Sequence, residues 1–438
     1  MLELFSWHFY FKTQTLKISL AVLHFLLIFY AVYLLGKKWD TVSSKLFWSA
    51  FLFRLAAGIS LGLIYKYYYS ANDTWLFFEN AQNFSLLAKN DFISFIKALL
   101  YFGDHQRMPG LADHDLRSIF FIKIISLFCL LSNSNYWVCA SYFSLLAFTC
   151  SWGLHRKICN IFPESNMASA FAFLFFPSVT FWSSGLEKES LALCGIYFLA
   201  MVFLMLMTGE KIKIYFGIFI ILAFLMIWSL KYYWAVVFVI STFTALSIKF
   251  LTVKFPESKN DVLTIWFLLF FGISIALSFS HPNFYLSRLV EVIVSNHREF
   301  AAISDQRNLI HYFQFEPTVK SLIINSPWAF FSALFRPLVG EGKGLLGWAA
   351  SIENFFLLLL FVSSLANLKS KFKISDRIIL LTASSYCIVL STFLALSTPN
   401  FGTLSRYRAG FLAFFVFIVV YRNPLLDWIS KKIRLKDV

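Results

Sequence analysis

The chain has 438 residues, of which 59% are hydrophobic and only 14% are charged, and its formal net charge is +15. Its mean hydropathy is +0.70. Soluble globular domains carry about a quarter charged residues, so this composition excludes an ordinary soluble enzyme. Apolar runs of about 18–22 residues recur along most of the chain, the length that crosses a hydrocarbon core about 30 Å thick. The sequence therefore predicts an all-α polytopic membrane protein with about 11 transmembrane helices.

The positive charge and the cysteines limit the function classes further. The basic residues form short clusters between apolar runs, such as His155-Arg156-Lys157. Cytoplasmic loops of membrane proteins carry such clusters, so the charge indicates topology and argues against a nucleic-acid partner. The six cysteines lie in or beside apolar segments without paired spacing, which indicates neither a disulfide framework nor a zinc site.

Taken in chain order, the predicted spans are 18–36, 46–67, 136–154, 166–183, 189–207, 212–229, 232–250, 262–280, 345–366, 377–397 and 407–421. If the chain begins outside, the basic clusters between them all lie inside. Residues 117–133 are apolar but short and carry Arg117 and Lys123, so we predict an interfacial or re-entrant helix there. Whether this segment instead crosses the membrane stays open. Helical spacing of apolar residues over 75–102 predicts two more amphipathic helices on the membrane surface.

The remaining polar features fall on the outer face of what we predict to be a single integral-membrane domain, 1–438. The outer loops 69–116 and 281–344 carry the predicted site. Charged residues close to the membrane are costly and tend to mark function. Those gathered on this face by the predicted topology are Asp73, Glu187, Lys188, Arg336, Glu341, Arg406 and Arg408.

Cations on this face predict a site for the phosphate of a lipid. The motif "SRYR" (405–408) stands at the outer end of the last span, against the positive-inside bias. The planar guanidinium group binds phosphate oxygens in pairs, which favours an anion site. The alternatives are helix capping around 187–189 and a plain surface turn at 334–344. The predicted phosphate-binding residues are Arg406, Arg408, Arg336 and Lys188, with Glu187 and Glu341 in supporting roles.

The first outer loop also holds two Asp-His pairs, Asp104-His105 and Asp113-His114-Asp115. Carboxylates two residues apart beside a histidine are suitable ligands for Mg²⁺ or Mn²⁺. The alternative is an ordinary solvated loop. We name Asp113 and Asp115 as the candidate ligands, leave the need for a divalent cation undecided, and predict no other cofactor.

Several of these features occur in a recognisable order. Asp73 in "SANDTW" follows a span and precedes the two predicted amphipathic helices. The apolar pair after them ends in "LHRK", and a proline-containing outer turn, "FPSVTFWSSGLEKES", follows. Together with "FRP" at 335–337 and a late "RYR", this layout resembles the GT-C superfamily of integral-membrane glycosyltransferases. It departs from that pattern in two ways: Asp73 follows the second predicted span, and Asp-Thr stands in place of an acidic pair.

The resemblance implies an inverting glycosyltransferase that moves a sugar from a polyprenyl-phosphate donor to a glycan, lipid or protein acceptor. Asp73 would be the catalytic base, and membrane lipids would be the other partners. It also implies a bacterial inner-membrane protein of the cell envelope with its active face in the periplasm. Two alternatives stay open, an O-antigen polymerase-like protein and a transporter or flippase for lipid-linked sugars.

Overall fold

The computed structural model describes residues 2–69, 72–101, 111, 114–255, 261–366 and 373–434, without the side chains of 2–16, 283 and 430–434. Its helices are α1 Leu2–Lys38, α2 Lys45–Tyr67, α3 Asp73–Asn90, α4 Phe92–Leu100, α5 Leu116–Leu131, α6 Tyr136–Ile161, α7 Asn166–Ala170, α8 Pro177–Trp182, α9 Lys188–Thr208, α10 Tyr215–Lys254, α11 Val262–Ser278, α12 Leu286–Ala302, α13 Val319–Phe335, α14 Gly344–Leu365, α15 Ile374–Ser397, α16 Phe401–Tyr407, α17 Ala409–Val420 and α18 Pro424–Arg434. A π-helix covers Phe171–Phe175, and 3-10 turns cover Pro282–Phe284 and Gln306–Asn308. The described ranges contain no named β-strand.

Among the described residues, seven helices are long and apolar enough to cross a membrane. They are α1 from Lys17 onward, α2, α6, α9, α10, α14 and α15. The number becomes eight if α16 and α17, which bend by 71° at Arg408, are counted as one span. The chain therefore has the helix lengths and composition of a multi-pass membrane protein. The predicted number of about 11 spans is not confirmed.

The predicted spans that are not confirmed differ from the sequence expectation for local reasons. The two predicted spans at 212–229 and 232–250 form one 40-residue helix, α10, whose only non-helical backbone is at Lys231 (φ −146°, ψ 62°). The predicted span 166–183 is divided into α7, the π-helix and α8, and Pro177 begins α8. Proline has no amide hydrogen to continue the preceding helix. The predicted span 262–280 forms α11, which has 17 residues.

The first of the two predicted outer loops contains the helices that the sequence pattern indicated, and the second contains more helix than it indicated. The two helices predicted in 75–102 are α3 and α4, which confirms their existence. The segment 117–133 forms α5, whose 16 residues rise about 24 Å, less than a hydrocarbon core. This length agrees with an interfacial or re-entrant helix. The second outer loop holds α12 and α13, which were not predicted.

The chain divides into two compact units, which are described separately below. Unit 1 comprises Met1–Trp152, Thr180–Gly195 and Leu225–Lys231, and unit 2 comprises Gly153–Val179, Ile196–Phe224 and Tyr232–Val438. The prediction of a single domain stays a prediction.

The core of unit 1 is an aromatic contact between α2 and α6. The Phe47 ring lies 5.1 Å from Phe148 and 5.0 Å from Trp152, in edge-to-face geometry, and Phe51 lies 5.4 Å from Phe148. Such pairs add about 0.5–1.5 kcal/mol each beyond the area they bury. This contact holds α2, which carries Arg54, against α6.

In unit 2, α17 packs against α13, α14 and α15. The ring of Phe415 lies 6.1 Å from Phe335 of α13 and 5.7 Å from Phe361 of α14. The Tyr386 hydroxyl of α15 donates a hydrogen bond of 3.1 Å to the carbonyl oxygen of Gly410. These contacts fix the segment that leads from the "SRYR" motif into α17.

Candidate functional site

The turn before α9, residues 183–187, is held against α2 by close backbone packing. Gly185 has φ +77°, a conformation that glycine adopts most readily. A Cβ atom on Gly58 of α2 would lie 2.3 Å from the Ser144 hydroxyl oxygen and 3.0 Å from the Gly185 backbone nitrogen, so a larger residue would force a shift there. One helical turn earlier, Arg54 Nη1 donates to the Ser183 hydroxyl at 2.8 Å and to the Ser183 carbonyl at 3.3 Å. The start of α9 therefore has a fixed place in unit 1.

Lys188 is the first residue of α9 and faces α5 and α3. Its Nζ donates to the Ser118 hydroxyl at 2.6 Å and lies 3.8 Å from Asp115 Oδ1. It also lies 4.8 Å from the centre of the Phe77 ring on α3, a cation–π distance. The Lys188 side chain is 18% exposed and that of Asp115 is 47% exposed. The ammonium group thus reaches the surface of unit 1 with a loosely held carboxylate partner.

Asp115 caps the N-terminus of α5 and is surrounded by positive charge. Its Oδ1 accepts the backbone N–H of Ser118 at 2.9 Å, and its Oδ2 accepts Arg117 Nε at 3.0 Å. Burial by itself would raise the pKa of Asp115, but the hydrogen bonds from Ser118 and the charge of Lys188 outweigh it and lower the pKa to about 2. The group is therefore ionised at any physiological pH.

The predicted metal site is only partly described. Asp115 has Lys188 and Arg117 as its neighbours, and Asp113 and the Asp104-His105 pair lie outside the described residues. Among the residues that are described, no group of three or more metal-ligating side chains comes together. The carboxylate of Asp115 thus balances two cations in this structure.

Behind Lys188 lies an ion pair that is almost completely buried. Lys231 Nζ is 2.6 Å from Glu189 Oε1, and the two side chains are 6% and 1% exposed. Lys231 is the residue that interrupts α10, and Glu189 lies in the first turn of α9. Removing one partner would leave a buried charge uncompensated, which makes such pairs costly to break.

The sequence did not indicate this pairing. Helix capping was one of the interpretations of residues 187–189, and Lys231 falls between the predicted spans 212–229 and 232–250. A signal was present, since a lysine inside a long apolar run requires a partner. The identity of the partner depends on tertiary packing.

Asp73 is the first residue of α3, where a negative charge is favoured by the helix dipole. It is half-buried, and the next residue, Thr74, is fully buried and accepts a 3.0 Å hydrogen bond from the Tyr136 hydroxyl. Residues four positions apart lie on one helix face, so Asp73 shares a face with Phe77, which contacts Lys188. Unit 1 therefore places Asp73 about one helical turn from the contact with the Lys188 ammonium.

Glu187 belongs to the same unit and is 1% exposed. It precedes Lys188 in the turn that packs on α2. Among the predicted site residues that the structure describes, unit 1 thus contains Asp73, Asp115, Glu187 and Lys188.

Unit 2 contains the predicted arginines, and the most buried of them is Arg408. It lies at the bend between α16 and α17 with 1% of its side chain exposed. Its Nη1 donates to Asn354 Oδ1 at 2.7 Å, and its Nη2 donates to Glu353 Oε1 at 3.4 Å. The other oxygen of Glu353 accepts the Ser178 backbone N–H at 2.9 Å. Arg408 therefore ties α14 to the bend.

Arg336 follows α13 and makes a forked ion pair with Glu341. Its Nε lies 3.0 and 3.1 Å from the two carboxylate oxygens, and its Nη2 lies 2.8 Å from Oε1. The guanidinium carbon is 5.1 Å from the Trp328 ring and 4.8 Å from the Phe401 ring. Burial by itself would raise the pKa of Glu341, but Arg336 and the backbone N–H of Leu338 hold it below its usual value.

Arg406 lies on α16 and is half-buried, with its guanidinium carbon 5.5 Å from the Tyr407 ring. The charged residues predicted to share one surface are thus distributed over both units, and their gathering stays a prediction.

Unit 2 also contains a partly open apolar cavity of about 60 Å³ between α6, the π-helix, α9, α10, α15 and α17. Phe173 of the π-helix and Phe414 and Phe417 of α17 are among its lining residues. The hydroxyls of Ser241 and Thr242 in its wall donate to carbonyls of their own helix at 2.8 Å. The cavity surface is therefore hydrocarbon in character.

Comparison of the chain with protein-family models, with curated proteins and with solved structures finds no match.

Proposed function

We propose that this chain is a membrane-embedded glycosyltransferase that moves a sugar from a polyprenyl-phosphate donor to an acceptor at the outer face of a bacterial inner membrane. The observation that carries the proposal is the arrangement around Phe77 in unit 1. Asp73 stands one turn along the same face of α3, and the Lys188 ammonium lies 4.8 Å from the Phe77 ring. A carboxylate and a partly exposed ammonium beside membrane-spanning helices suit the transfer of a group from a lipid phosphate.

In the proposed reaction, Asp73 takes the proton from an acceptor hydroxyl. The oxygen attacks the anomeric carbon of the donor sugar from the side opposite the phosphate, which inverts the configuration. The bond between that carbon and the phosphate oxygen breaks, and the lipid phosphate leaves with the electron pair. Lys188 stabilises its negative charge, while Asp115 and Ser118 hold the lysine in place.

The predicted cations differ in how readily each could bind the phosphate of the donor. Lys188 reaches the surface of unit 1, and its carboxylate partner, Asp115, is 3.8 Å away and 47% exposed. Arg336 and Arg408 each have a closer carboxylate partner, at 2.8 Å and 3.4 Å. We therefore propose Lys188 as the principal phosphate ligand, and the roles of Arg336, Arg406 and Arg408 stay predictions.

One observation favours the alternative of lipid-linked sugar transport. The 40-residue helix α10 is interrupted at Lys231, and the lysine is paired with Glu189 inside apolar helices. Interrupted helices with charges at membrane depth occur in transporters. An O-antigen polymerase-like protein would use the same donor chemistry, and the nature of the acceptor distinguishes it.

The test is a transfer assay in proteoliposomes with a polyprenyl-phosphate-linked sugar and an envelope extract as the acceptor source. Asp73→Asn should leave the amount of folded protein unchanged and lower the rate of transfer about 10²-fold, the scale of a lost general base. Glu79→Gln is the matched control, since Glu79 lies on the same helix and is exposed.

Transfer at the wild-type rate by Asp73→Asn would remove the catalytic role of Asp73. Movement of the labelled donor across the bilayer without its consumption would support the transporter instead.

A further inference from the structure

An exposed lysine at the end of α2, Lys66, is held beside two aromatic rings. Its Nζ lies 4.7 Å from the centre of the Trp75 ring on α3 and 5.5 Å from the centre of the neighbouring Tyr67 ring. Within the part of the chain that the structure describes, no carboxylate pairs with this ammonium group. An aromatic face attracts a cation, but it leaves the three N–H donors of the ammonium group available to an anion.

The Trp75 ring is itself fixed in place. Its Nε1 donates to the Gly62 carbonyl oxygen at 3.1 Å, and its ring stacks on Tyr136 with the two centres 3.8 Å apart and the planes 5° from parallel. A Cβ atom on Gly62 would lie 2.7 Å from Tyr136 Cε1, so a larger residue would disturb this stack. The ammonium group of Lys66 therefore lies over a rigid surface, and such preorganisation lowers the cost of binding a ligand.

The position of Lys66 in α2 indicates which anion it meets. Lys66 lies in the last turn of α2, a helix long and apolar enough to cross a membrane. The end of such a helix reaches the headgroup region of the bilayer, where tyrosine and tryptophan are enriched. Tyr67 and Tyr68, which follow Lys66, are 76% and 55% exposed. The phosphate groups of bilayer lipids lie at this level.

The cation on Trp75 and the cation on Phe77 lie on different sides of α3. Lys188 lies 4.8 Å from the Phe77 ring, on the helix face that also carries Asp73. Trp75 is two residues from Asp73 and two from Phe77, and residues two apart on a helix do not face each other. Lys66 therefore has a place for an anion of its own, separate from the phosphate proposed for Lys188.

We propose that Lys66, Tyr67 and Trp75 form a binding site for the phosphate of a bilayer phospholipid, which goes beyond the proposed sugar transfer. The ammonium group donates to the phosphate oxygens in charge-assisted hydrogen bonds, which are stronger than neutral ones. The exposed Tyr67 and Tyr68 rings contact the glycerol and the first acyl carbons. Because no carboxylate among the described residues balances the charge of Lys66, the site favours a headgroup of net negative charge, phosphatidylglycerol, over the zwitterionic phosphatidylcholine.

The test places the full chain in phosphatidylcholine nanodiscs that contain a small fraction of a photoreactive phosphatidylglycerol, with the reactive group at the glycerol end of one acyl chain. After irradiation and proteolysis, mass spectrometry locates the cross-linked residues. We expect cross-links at Tyr67, Tyr68 or Trp75, and fewer of them when a phosphatidylcholine carrying the same reactive group replaces the phosphatidylglycerol.

Variants of the two exposed ends of α2 complete the test. Lys66→Met should lower the yield of these cross-links about 5-fold, the scale of one lysine near an anionic lipid surface, and Lys66→Arg should retain it. Lys45→Met is the matched control, because Lys45 is exposed at the other end of the same helix. It should leave the yield at Tyr67, Tyr68 and Trp75 unchanged.

An unchanged yield in a Lys66→Met chain that melts at the wild-type temperature would overturn the proposal, as would equal yields from the two lipid analogues. Displacement of the cross-link by millimolar glycerol 3-phosphate would identify a soluble phosphate as the ligand and would refute the lipid assignment. Lys66→Met should also keep the wild-type affinity for a polyprenyl-phosphate sugar. A loss equal to that of Lys188→Ala would place Lys66 in the transfer site and end the case for a separate one.

Discussion

Unit 1 and unit 2 each bring positive side chains together with carboxylates, but they hold them differently. In unit 1, Lys188 and Asp115 are 3.8 Å apart and both reach the surface. In unit 2, Arg408 is buried and its two terminal nitrogens bind Glu353 and Asn354. A cation whose partner is solvated and loosely held can exchange that partner for an incoming anion at small cost. A buried guanidinium cannot, because its carboxylate would be left without a counter-charge.

The contrast separates a part of the molecule suited to binding from a part suited to holding helices together. Unit 1 combines both arrangements, since the partly exposed Lys188 is followed directly by Glu189, which forms the buried pair with Lys231. The buried pair fixes the start of α9, which carries Lys188. Unit 2 uses Arg408 to tie the α16–α17 bend to α14.

The largest expected effect is the loss of stability on removal of the buried Arg408 side chain. Arg408→Met should lower the free energy of unfolding by about 3–5 kcal/mol, because Glu353, only 12% exposed, would lose its counter-charge. Lys188→Met should cost less than about 1 kcal/mol, since Asp115 is solvated and keeps Arg117. Thermal unfolding in detergent, followed by tryptophan fluorescence, measures both.

A double variant separates the charge from the packing. Arg408→Met combined with Glu353→Gln removes both charges and should recover part of the lost stability. Equal losses for Lys188→Met and Arg408→Met would contradict the contrast between the two units.

The second prediction concerns donor binding and rests on the proposed function. Lys188→Ala should weaken the affinity for a polyprenyl-phosphate sugar about 10-fold, equivalent to about 1.4 kcal/mol, because one charge-assisted contact to the phosphate is lost. Lys89→Ala, on exposed α3 surface, is the control. Titration of a fluorescent donor into proteoliposomes measures the affinity.

The alternative assignment is tested by the same titration. If Arg406→Ala weakens binding and Lys188→Ala does not, the phosphate lies in unit 2 and the "SRYR" prediction replaces the one made here for Lys188.

Much of the helical framework was predictable from the sequence. An apolar run in contact with lipid must satisfy its own backbone hydrogen bonds, and a helix does so. The predicted ends of the second, fifth and tenth spans lie within three residues of the ends of α2, α9 and α15. The internal breaks were less predictable. A single non-helical residue at Lys231, or a π-turn before Pro177, depends on packing partners as much as on local sequence.

The sequence could predict which residue types belong to the candidate site. It could not predict which of those residues contact each other. The sequence singled out Lys188 and Arg408 as charged residues near the membrane and Asp115 as a candidate metal ligand. That Lys188 faces Asp115 while Arg408 faces Glu353 depends on contacts between residues 55 to 73 positions apart in the sequence.

The smallest expected effect is a pH dependence of the stability that Asp115 contributes through its contacts with Ser118 and Lys188. The pKa of Asp115 lies at about 2 in the folded chain, against an ordinary value of 3.8, because Ser118 and Lys188 overcome the effect of burial. A lowered pKa means that the unfolded chain binds the proton more tightly, so the stabilisation is complete above about pH 4 and is lost as the pH falls toward about 2. Since the side chain of Asp115 is about half exposed, solvent screening keeps the contribution below about 1 kcal/mol. The melting temperatures of the wild-type chain and Asp115→Asn should therefore differ slightly at pH 6 and converge toward pH 2. A difference that stays constant over this range would show that Asp115 acts through its cap on α5 and not through its charge.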